Sequence, residues 1–281
     1  MGRRSTTLLL IISALLLTGF KPFGGGGGMK GKFRSEEGGK KMEINHPFSP
    51  MGSSYSQIKA GGLVETGLKP IYPANADCPD IDSPFAATTR GDGSRRSQRF
   101  FHGHHSGSDI PIPEGTPILA VAAGTVVEVS EGANIGGLAL ILQHSPEQTG
   151  LPLWSYSQYK HLQQLPDYKV GDRLNMGDTV GNTGTTGTTG GYYGASGHSH
   201  LHLALFTSPN DRYEKRRSFI PDQGKWLDLM ALYRGEPFDS RALADLPRGE
   251  KKVTIPYRLT TGETVPVETK VIWPYACKPR S

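Results

Sequence analysis

Cysteine is scarce in this chain: only Cys78 and Cys277 occur in 281 residues. Neither lies in a C-x-x-C pair or in a Cys/His pattern typical of zinc modules, so neither is expected to bind a metal. Two interpretations of the pair stay open. In an oxidising compartment it would form one disulfide between the N-terminal segment and the C-terminal tail; otherwise it is two unpaired thiols.

A hydrophobic run long enough to span a membrane comfortably is also missing near the N-terminus. Arg3 and Arg4 precede an apolar run over residues 8–17, which is short and is interrupted by Ser13 and Ala14. This order is typical of an export signal. No clear A-x-A cleavage site follows, so an uncleaved membrane anchor is the alternative. We expect export to the periplasm or cell envelope, or secretion.

No nucleic-acid-binding motif accompanies the basic residues, although the net charge is +5 and the pI is about 9.1. The basic residues are scattered, and the clusters Arg95–Arg96 and Lys215–Arg217 are interpreted as solvated surface. We therefore expect no nucleic-acid partner, while the charge would favour an anionic one. Glycine, by contrast, is abundant: 37 residues, about twice the usual ~7% share. This excess favours a turn-rich all-β protein.

Histidines stand out in the segment after the glycine-rich stretch. In a β-strand, His200 and His202 would share one face and Leu201, Leu203 and Leu205 the other. A His/Asp pair lies upstream in His105-Ser-Gly-Ser-Asp109. Together these are the ligand types of a catalytic zinc site with an open coordination position. The alternative is that they are ordinary polar residues on a solvated sheet face.

The wider pattern resembles the lysostaphin-type (β-lytic) zinc metallopeptidases, which cut peptide bonds in bacterial peptidoglycan. The resemblance covers roughly residues 85–206 and rests on four blocks in the family's order. The blocks are His105–Asp109 running into Ile110–Pro117 and Ala120–Val127, then Tyr159–Leu162, then Val170–Leu174 with Gly177–Gly184, and finally His200–His202.

The resemblance implies that His105, Asp109 and His202 ligate Zn²⁺, leaving a fourth position for water. It also implies that His161 and His200 are catalytic residues that do not bind the metal. One would take the proton from the attacking water, and the other would stabilise the oxyanion or protonate the leaving amine. The assignment stays open, although the place of His200 beside His202 favours it as the base. No other cofactor is expected.

The remaining histidines are given lesser roles. His102 and His104 are expected at the rim of the site, His144 is interpreted as structural, and His198 as a spare residue on the face of His200 and His202. The family commonly has an acidic residue where this chain has Ala204. That difference would remove a partner that orients a ligand imidazole.

The residue patterns also predict individual elements. Leu138–His144 and Trp154–Leu162 read as strands, the second with Tyr159 and His161 on the same face. Short strands are expected at 169–173 and 179–182. A hairpin or bent strand is predicted over Thr116–Ala122 and Thr125–Val129, a helix over Lys225–Arg234, and a β-hairpin from Lys252–Leu259 and Thr264–Trp273.

Taken together, these features predict an all-β fold, with an antiparallel sheet core and an open groove. We divide the chain into a signal or anchor with a glycine spacer (1–28), an N-terminal segment (29–84), the metallopeptidase domain (85–207) and a C-terminal extension (208–281). The expected activity is zinc-dependent hydrolysis of a cross-link or stem peptide of peptidoglycan. The sequence does not predict the oligomeric state.

Two other classes of function compete with this one. The first is a non-catalytic module of the same fold that binds peptidoglycan or activates other hydrolases. The second is a His-rich metal-binding protein without hydrolytic activity. All five expected ligand and catalytic positions are filled, which favours the enzyme; a metal-binding protein would not need the block Tyr159-Lys160-His161.

Overall fold

The computed structural model describes residues 46–131, 136–188, 198–215 and 218–280. The predicted export segment and glycine spacer lie outside them. None of the helices in the described ranges has the length and apolarity that crossing a bilayer requires. Short 3₁₀ turns occupy Phe101–Gly103 and Arg248–Lys251. The helices are α1 (Tyr55–Ala60), α2 (Pro146–Thr149), α3 (Leu229–Arg234) and α4 (Ser240–Ala244).

Most of the regular structure is β, as predicted. The strands are β1 (Lys69–Ile71), β2 (Ala76–Asp77), β3 (Ser108–Pro111), β4 (Pro117–Leu119), β5 (Gly124–Ser130), β6 (Ala139–His144), β7 (Trp154–Lys160), β8 (Arg173–Leu174), β9 (Thr179–Asn182), β10 (His200–Ser208), β11 (Tyr213–Lys215), β12 (Phe219–Pro221), β13 (Lys225–Leu227), β14 (Lys252–Thr254), β15 (Tyr257–Arg258), β16 (Thr264–Val265) and β17 (Lys278–Pro279).

An antiparallel sheet of seven strands forms the centre of the fold. Six of them lie in the order β13-β10-β7-β6-β5-β8, and the seventh, β3, pairs with β10. The long strand β10 pairs with β7 along one edge. Along its other edge it pairs first with β3 and then with β13. This arrangement places β3, which carries Asp109, directly beside the histidine end of β10.

Both faces of this sheet are covered by apolar clusters. Leu201, Leu203 and Leu205 pack into the larger cluster, whereas Ala204 and Phe206 pack into the smaller one with Trp226. This is the period-2 alternation expected of a strand. His200 and His202 continue the face of Ala204 and Phe206, so they lie where the smaller cluster gives way to a groove.

The segments on either side of the predicted metallopeptidase region pack on the same core. Leu68 and Trp273 are buried in the larger cluster, and Phe48 is buried in the smaller one. Cys78 and Cys277 form a disulfide across 199 positions of sequence, which confirms the first of the two interpretations of the cysteines. The bond joins the strands β2 and β17 at their ends.

Several element predictions are confirmed and four need correction. The short strand predicted at 169–173 is wrong, because only Arg173 of this range lies in a strand, β8. Strands cover most of 138–144, 154–162 and 179–182, as predicted. The predicted hairpin over 116–129 is wrong because β4 pairs with β9, whereas β5 pairs with β6 and β8. The link between them is held by other segments: Gly177 donates to the Ala120 carbonyl and Ile272 to that of Val121.

The two C-terminal predictions are correct only in part. The helix predicted over 225–234 begins at Leu229, because Asp228 caps it by accepting from the Met230 N–H; Lys225–Leu227 instead forms a strand beside β10. The predicted hairpin is reduced to β15 and β16, since β14 pairs in parallel with β1.

Candidate metal centre and active site

Two neighbouring strands bring Asp109 and His202 together. The two residues lie directly opposite each other in the pair of β3 and β10, so their side chains share one face of the sheet. The chain between His105 and Asp109 passes close to β10 at Gly107. A Cβ atom there would lie 2.6 Å from the Leu203 carbonyl oxygen and 2.8 Å from His202 Nε2. The glycine is therefore what allows His105 to reach the same point.

The donor atoms of these three residues converge. Asp109 Oδ1 lies 3.0 Å from His105 Nε2 and 2.9 Å from His202 Nδ1, and the two nitrogens are 3.0 Å apart. All three side chains are buried. Two imidazoles and one carboxylate are a ligand set that zinc uses in catalytic sites. His105, Asp109 and His202 are therefore a group of residues that could hold a metal ion.

The hydrogen bonds around the site fit a bound cation. His105 Nδ1 lies 3.0 Å from the Pro84 carbonyl oxygen, which can only accept, so Nδ1 carries a proton and Nε2 is the ring atom turned toward Asp109 and His202. Burial alone would raise the pKa of Asp109, but the neighbouring His105 and His202 lower it well below its usual value. The site therefore offers a cation an ionised carboxylate beside two ring nitrogens.

Ser106 provides a partner for His202 that the sequence did not suggest. His202 turns Nδ1 toward Asp109 and places Nε2 3.5 Å from Ser106 Oγ. Ala204, which stands where the family has an acidic residue, packs in the smaller apolar cluster. The Ser106 hydroxyl is thus the group beside the ring nitrogen of His202 that is turned away from Asp109.

His161 and His200 stand beside the three ligands. His200 begins β10, and its Nε2 lies 3.8 Å from Asp109 Oδ1. His161 directly follows β7, with its ring centroid 4.7 Å from that of His200 and 5.8 Å from that of His202. The structure thus brings all five predicted residues into one groove.

The predicted strand face of His161 is wrong. β7 ends at Lys160, and His161 adopts a left-handed φ of 63°, which breaks the alternation of the strand. The Tyr159 hydroxyl points into the main core, where it accepts from the Val121 N–H. His161 instead turns into the groove, and its Nδ1–H donates to the Thr186 carbonyl oxygen at 2.7 Å.

Both of these histidines are neutral proton acceptors. Burial, helped by the neighbouring His200, lowers the pKa of His161 to about 3. Burial also lowers the pKa of His200, although Asp109 opposes it. His161 Nδ1 donates to the Thr186 carbonyl, and His200 Nδ1 donates to the His198 carbonyl at 3.3 Å. Each ring therefore has an unprotonated Nε2.

Lys160 is a groove residue that the sequence interpretation missed. It lies opposite His202 in the pair of β7 and β10 and lines the groove. Burial lowers the pKa of its ammonium group to about 8, against the opposing charges of Asp109 and Glu128. This position could have been predicted from the alternation of side chains along β7, which places Lys160 on the face opposite Tyr159.

Arg96 is a second residue whose position differs from the prediction. Its side chain is only 17% exposed, and its Nη2 donates to Asp109 Oδ2 at 3.0 Å. The interpretation of Arg95–Arg96 as solvated surface is therefore wrong for Arg96, although Arg95 is exposed. Nothing in the local sequence signals the contact, because it depends on how residues 82–96 fold against β3.

The other histidines lie outside the ligand group. His104 lines the groove, and its Nδ1 donates to the Ala86 carbonyl, whereas His102 donates to the Ser53 carbonyl. His144 is buried and structural, as predicted: its Nδ1 donates to the Ala123 carbonyl. His198 precedes the start of β10 and is exposed. The glycine-rich stretch before it, residues 189–197, lies outside the described residues.

The sequence around this site is similar to known proteins. Residues 103–213 match Peptidase family M23. Endolysin 2638A of Staphylococcus phage 2638A is 32% identical over 122 residues, which are 43% of this chain and 22% of the endolysin. The chain thus spans about a fifth of the length of this curated relative.

Similar regions occur in the solved structures of two peptidases. The catalytic domain of the antimicrobial peptidase lysostaphin from Staphylococcus simulans is 24% identical, with a TM-score of 0.32; the match covers 47% of this chain and 80% of that domain. A zinc-containing peptidase from Vibrio cholerae is 20% identical, with a TM-score of 0.35, over 56% of this chain and 37% of its own.

Proposed function

We propose that the chain is a zinc endopeptidase that hydrolyses peptide bonds of bacterial peptidoglycan, since residues 103–213 match Peptidase family M23. One observation carries the proposal. The donor atoms of His105, Asp109 and His202 converge within 3.0 Å of one another, and two neutral histidines that are not needed as ligands stand next to them. A site that only stored metal would not need this second pair.

His105 Nε2, Asp109 Oδ1 and His202 Nδ1 would hold the zinc ion. Zinc, when bound, supplies Lewis-acid chemistry that makes water a nucleophile at neutral pH. The protein contributes the orientation of the ligands: the Pro84 carbonyl fixes the ring of His105, and Ser106 lies beside that of His202. Hydrogen bonds that orient metal ligands in this way maintain both the affinity for the metal and the catalytic activity.

His200 is assigned as the general base. Its Nε2 is unprotonated and lies 3.8 Å from Asp109 Oδ1, which places it next to the ligand atoms. In the proposed reaction, water forms a bond to the carbonyl carbon of the substrate and gives a proton to His200 Nε2. The C–N bond then breaks, and the proton passes to the leaving amine nitrogen.

His161 faces the same space from the other wall, 4.7 Å from His200 between ring centroids. Its Nδ1–H is engaged by the Thr186 carbonyl, so it acts through Nε2. If the proton that His200 takes from water is passed to this atom, it would stabilise the developing oxyanion or deliver that same proton to the leaving amine. Lys160 adds a positive charge to the wall of the groove.

We propose that the substrate lies outside the cytoplasm. Disulfides persist in oxidising compartments, and Cys78–Cys277 is consistent with that setting. We propose that residues 1–28 direct export to the periplasm, the envelope or the medium, with membrane attachment if that segment is retained. The bond cleaved is a cross-link or a stem-peptide bond.

The test is digestion of purified peptidoglycan by the zinc-loaded protein, with released fragments identified by mass spectrometry. New amino and carboxyl termini within the peptide part are expected, and they would name the bond. A His200→Ala variant with unchanged zinc content is the matched control. Binding to the wall polymer without any released peptide would reject the enzyme in favour of a non-catalytic binding or activating module.

A further inference from the structure

The ligand Asp109 uses its two carboxylate oxygens differently. Oδ1 faces His105 and His202 at 3.0 and 2.9 Å. Oδ2 points away from them and accepts a charge-assisted hydrogen bond from Arg96 Nη2 at 3.0 Å. The carboxylate is 3% exposed, so solvent does little to stabilise Oδ2.

Arg96 is itself held in place. The same Nη2 donates to Ser83 Oγ at 2.6 Å, and Nε donates to the Thr89 carbonyl at 3.3 Å. Its backbone N–H donates to the Thr88 carbonyl. A guanidinium fixed by several bonds can define the rotation of the carboxylate that it contacts, because its donors have a rigid planar arrangement.

The segment that carries Arg96 also holds the backbone of Asp109. The Asp109 N–H donates to the Ser83 carbonyl at 2.9 Å, and the Asp82 N–H donates to the Asp109 carbonyl at 3.2 Å. The strand β3 is thereby fixed on the edge that does not face β10.

The other ligand on this part of the chain is held by the same segment. The His105 N–H donates to the Ala87 carbonyl at 3.0 Å, and the Ala86 N–H donates to the His105 carbonyl at 2.9 Å. The Pro84 carbonyl accepts from the imidazole of His105. Residues 82–96 thus contact two of the three ligands through both backbone and side chains.

We propose that Arg96 is a positioning residue of the zinc site, and that residues 82–96 set the geometry of His105 and Asp109. These residues precede the part of the chain that matches the family. By engaging Oδ2, Arg96 leaves Oδ1 as the oxygen that faces His105 and His202 and would keep the carboxylate from turning both oxygens toward a bound ion. The proposal rests on the zinc site of the proposed function, but its test does not depend on catalysis.

The experiment compares zinc affinity in the parent, Arg96→Gln, Arg96→Lys and Arg95→Gln, measured by competition with a chromophoric chelator. The neighbouring, exposed Arg95 is the matched control. We expect a 10–100-fold weaker affinity in Arg96→Gln, partial recovery in Arg96→Lys, and less than about a threefold change in Arg95→Gln. The visible spectrum of the cobalt-substituted protein should change in Arg96→Gln and stay parental in Arg95→Gln.

Melting of the metal-free proteins distinguishes positioning from folding. A metal-free melting temperature near that of the parent, with weaker zinc binding, supports the proposal. Zinc affinity within threefold of the parent in Arg96→Gln would overturn it, and so would a fall in metal-free stability that accounts for the whole loss of binding. If Arg96→Gln does not fold, Arg96→Lys decides in the same way. Absence of zinc binding in the parent would instead reject the proposed function.

Discussion

At the scale of single residues, Asp109 contributes the negative charge of the ligand set. Zinc held by two imidazoles alone would lack both the third ligand and this charge. Asp109→Asn keeps the shape of the side chain and its contacts with Arg96 while removing the charge. We expect it to lose most bound zinc after dialysis, as measured by metal analysis of the purified protein. Full zinc occupancy in this variant would contradict the ligand assignment.

The two histidines that are not ligands should behave differently from Asp109. Replacing His161 or His200 by Ala should leave zinc bound, because neither is among the three converging ligands, and should lower turnover about 10²–10⁴-fold if the ring moves protons or stabilises the oxyanion. Peptidoglycan cleavage, zinc content and thermal melting are measured on the same samples. His198→Ala is the control, since it keeps the carbonyl that accepts from His200.

Each outcome of that comparison has a distinct meaning. Near-parental cleavage by both variants would reject the mechanism. Loss of zinc from His200→Ala would show that this residue is a ligand. Equal loss of stability and activity would assign a structural role instead.

At the scale of elements, Gly107 determines how closely the His105–Asp109 segment approaches β10. A Cβ atom at position 107 would lie 2.6 Å from the Leu203 carbonyl oxygen. This backbone atom cannot move aside as the end of a flexible side chain can. Gly107→Ala should therefore push β3 away from His202 and weaken zinc binding more than tenfold. Gly249→Ala, with open space around the added carbon, should bind zinc like the parent. Unchanged affinity in Gly107→Ala would show that the strands can separate without cost to the site.

The sequence predicts the histidine strand well because alternation is a local property. Leu201 and Leu203 enter the core, and His200 and His202 lie together on the other face. The position of His161 is not predictable in this way, since one left-handed residue after β7 reverses the expected face. Long-range pairing is equally hidden, as β14 shows by joining β1 rather than the strand that follows it.

For the site, too, local patterns can be predicted from the sequence, whereas long-range contacts cannot. Ligand types and order can be inferred from the histidine and aspartate pattern and from its resemblance to a family. The contact of Arg96 with Asp109 cannot, because it depends on the path of residues 82–96 beside β3. Side chains of ordinary surface type become part of a site only through such tertiary contacts.

At the scale of the whole molecule, the C-terminal tail is tied to the core in more than one way. Cys277 is bonded to Cys78, and the buried Tyr275 hydroxyl lies 2.7 Å from Thr183 Oγ1. A disulfide that closes a loop of this length restricts the unfolded chain and stabilises the folded state by up to about 5 kcal/mol.

The Cys78→Ser/Cys277→Ser double variant should therefore lose up to about that amount of stability in denaturant unfolding, while the zinc site, built from other segments, keeps its affinity. Thiol labelling of the denatured, unreduced parent should find no reactive thiol. A stability equal to the parent's would show that the bridge does not restrict the unfolded chain.

The stability of the whole fold should also depend on pH through His144. This ring is buried, with Nδ1 donating to the Ala123 carbonyl and Nε2 2.8 Å from Ser157 Oγ, and burial lowers its pKa to about 4. The unfolded chain binds the proton below about pH 6.5. Stability should thus be complete above pH 6.5, fall as the pH drops toward 4, and level off below that value.

The size of the effect follows from the two pKa values. Their separation corresponds to a total loss of about 3 kcal/mol. Urea unfolding of the metal-free protein, measured between pH 7 and 4, gives the slope for the parent, for His144→Gln and for the exposed control His198→Gln. The slope should decrease in His144→Gln because this position then no longer binds a proton on unfolding, and it should persist in His198→Gln. Identical slopes in the parent and His144→Gln would show that His144 does not link protonation to folding.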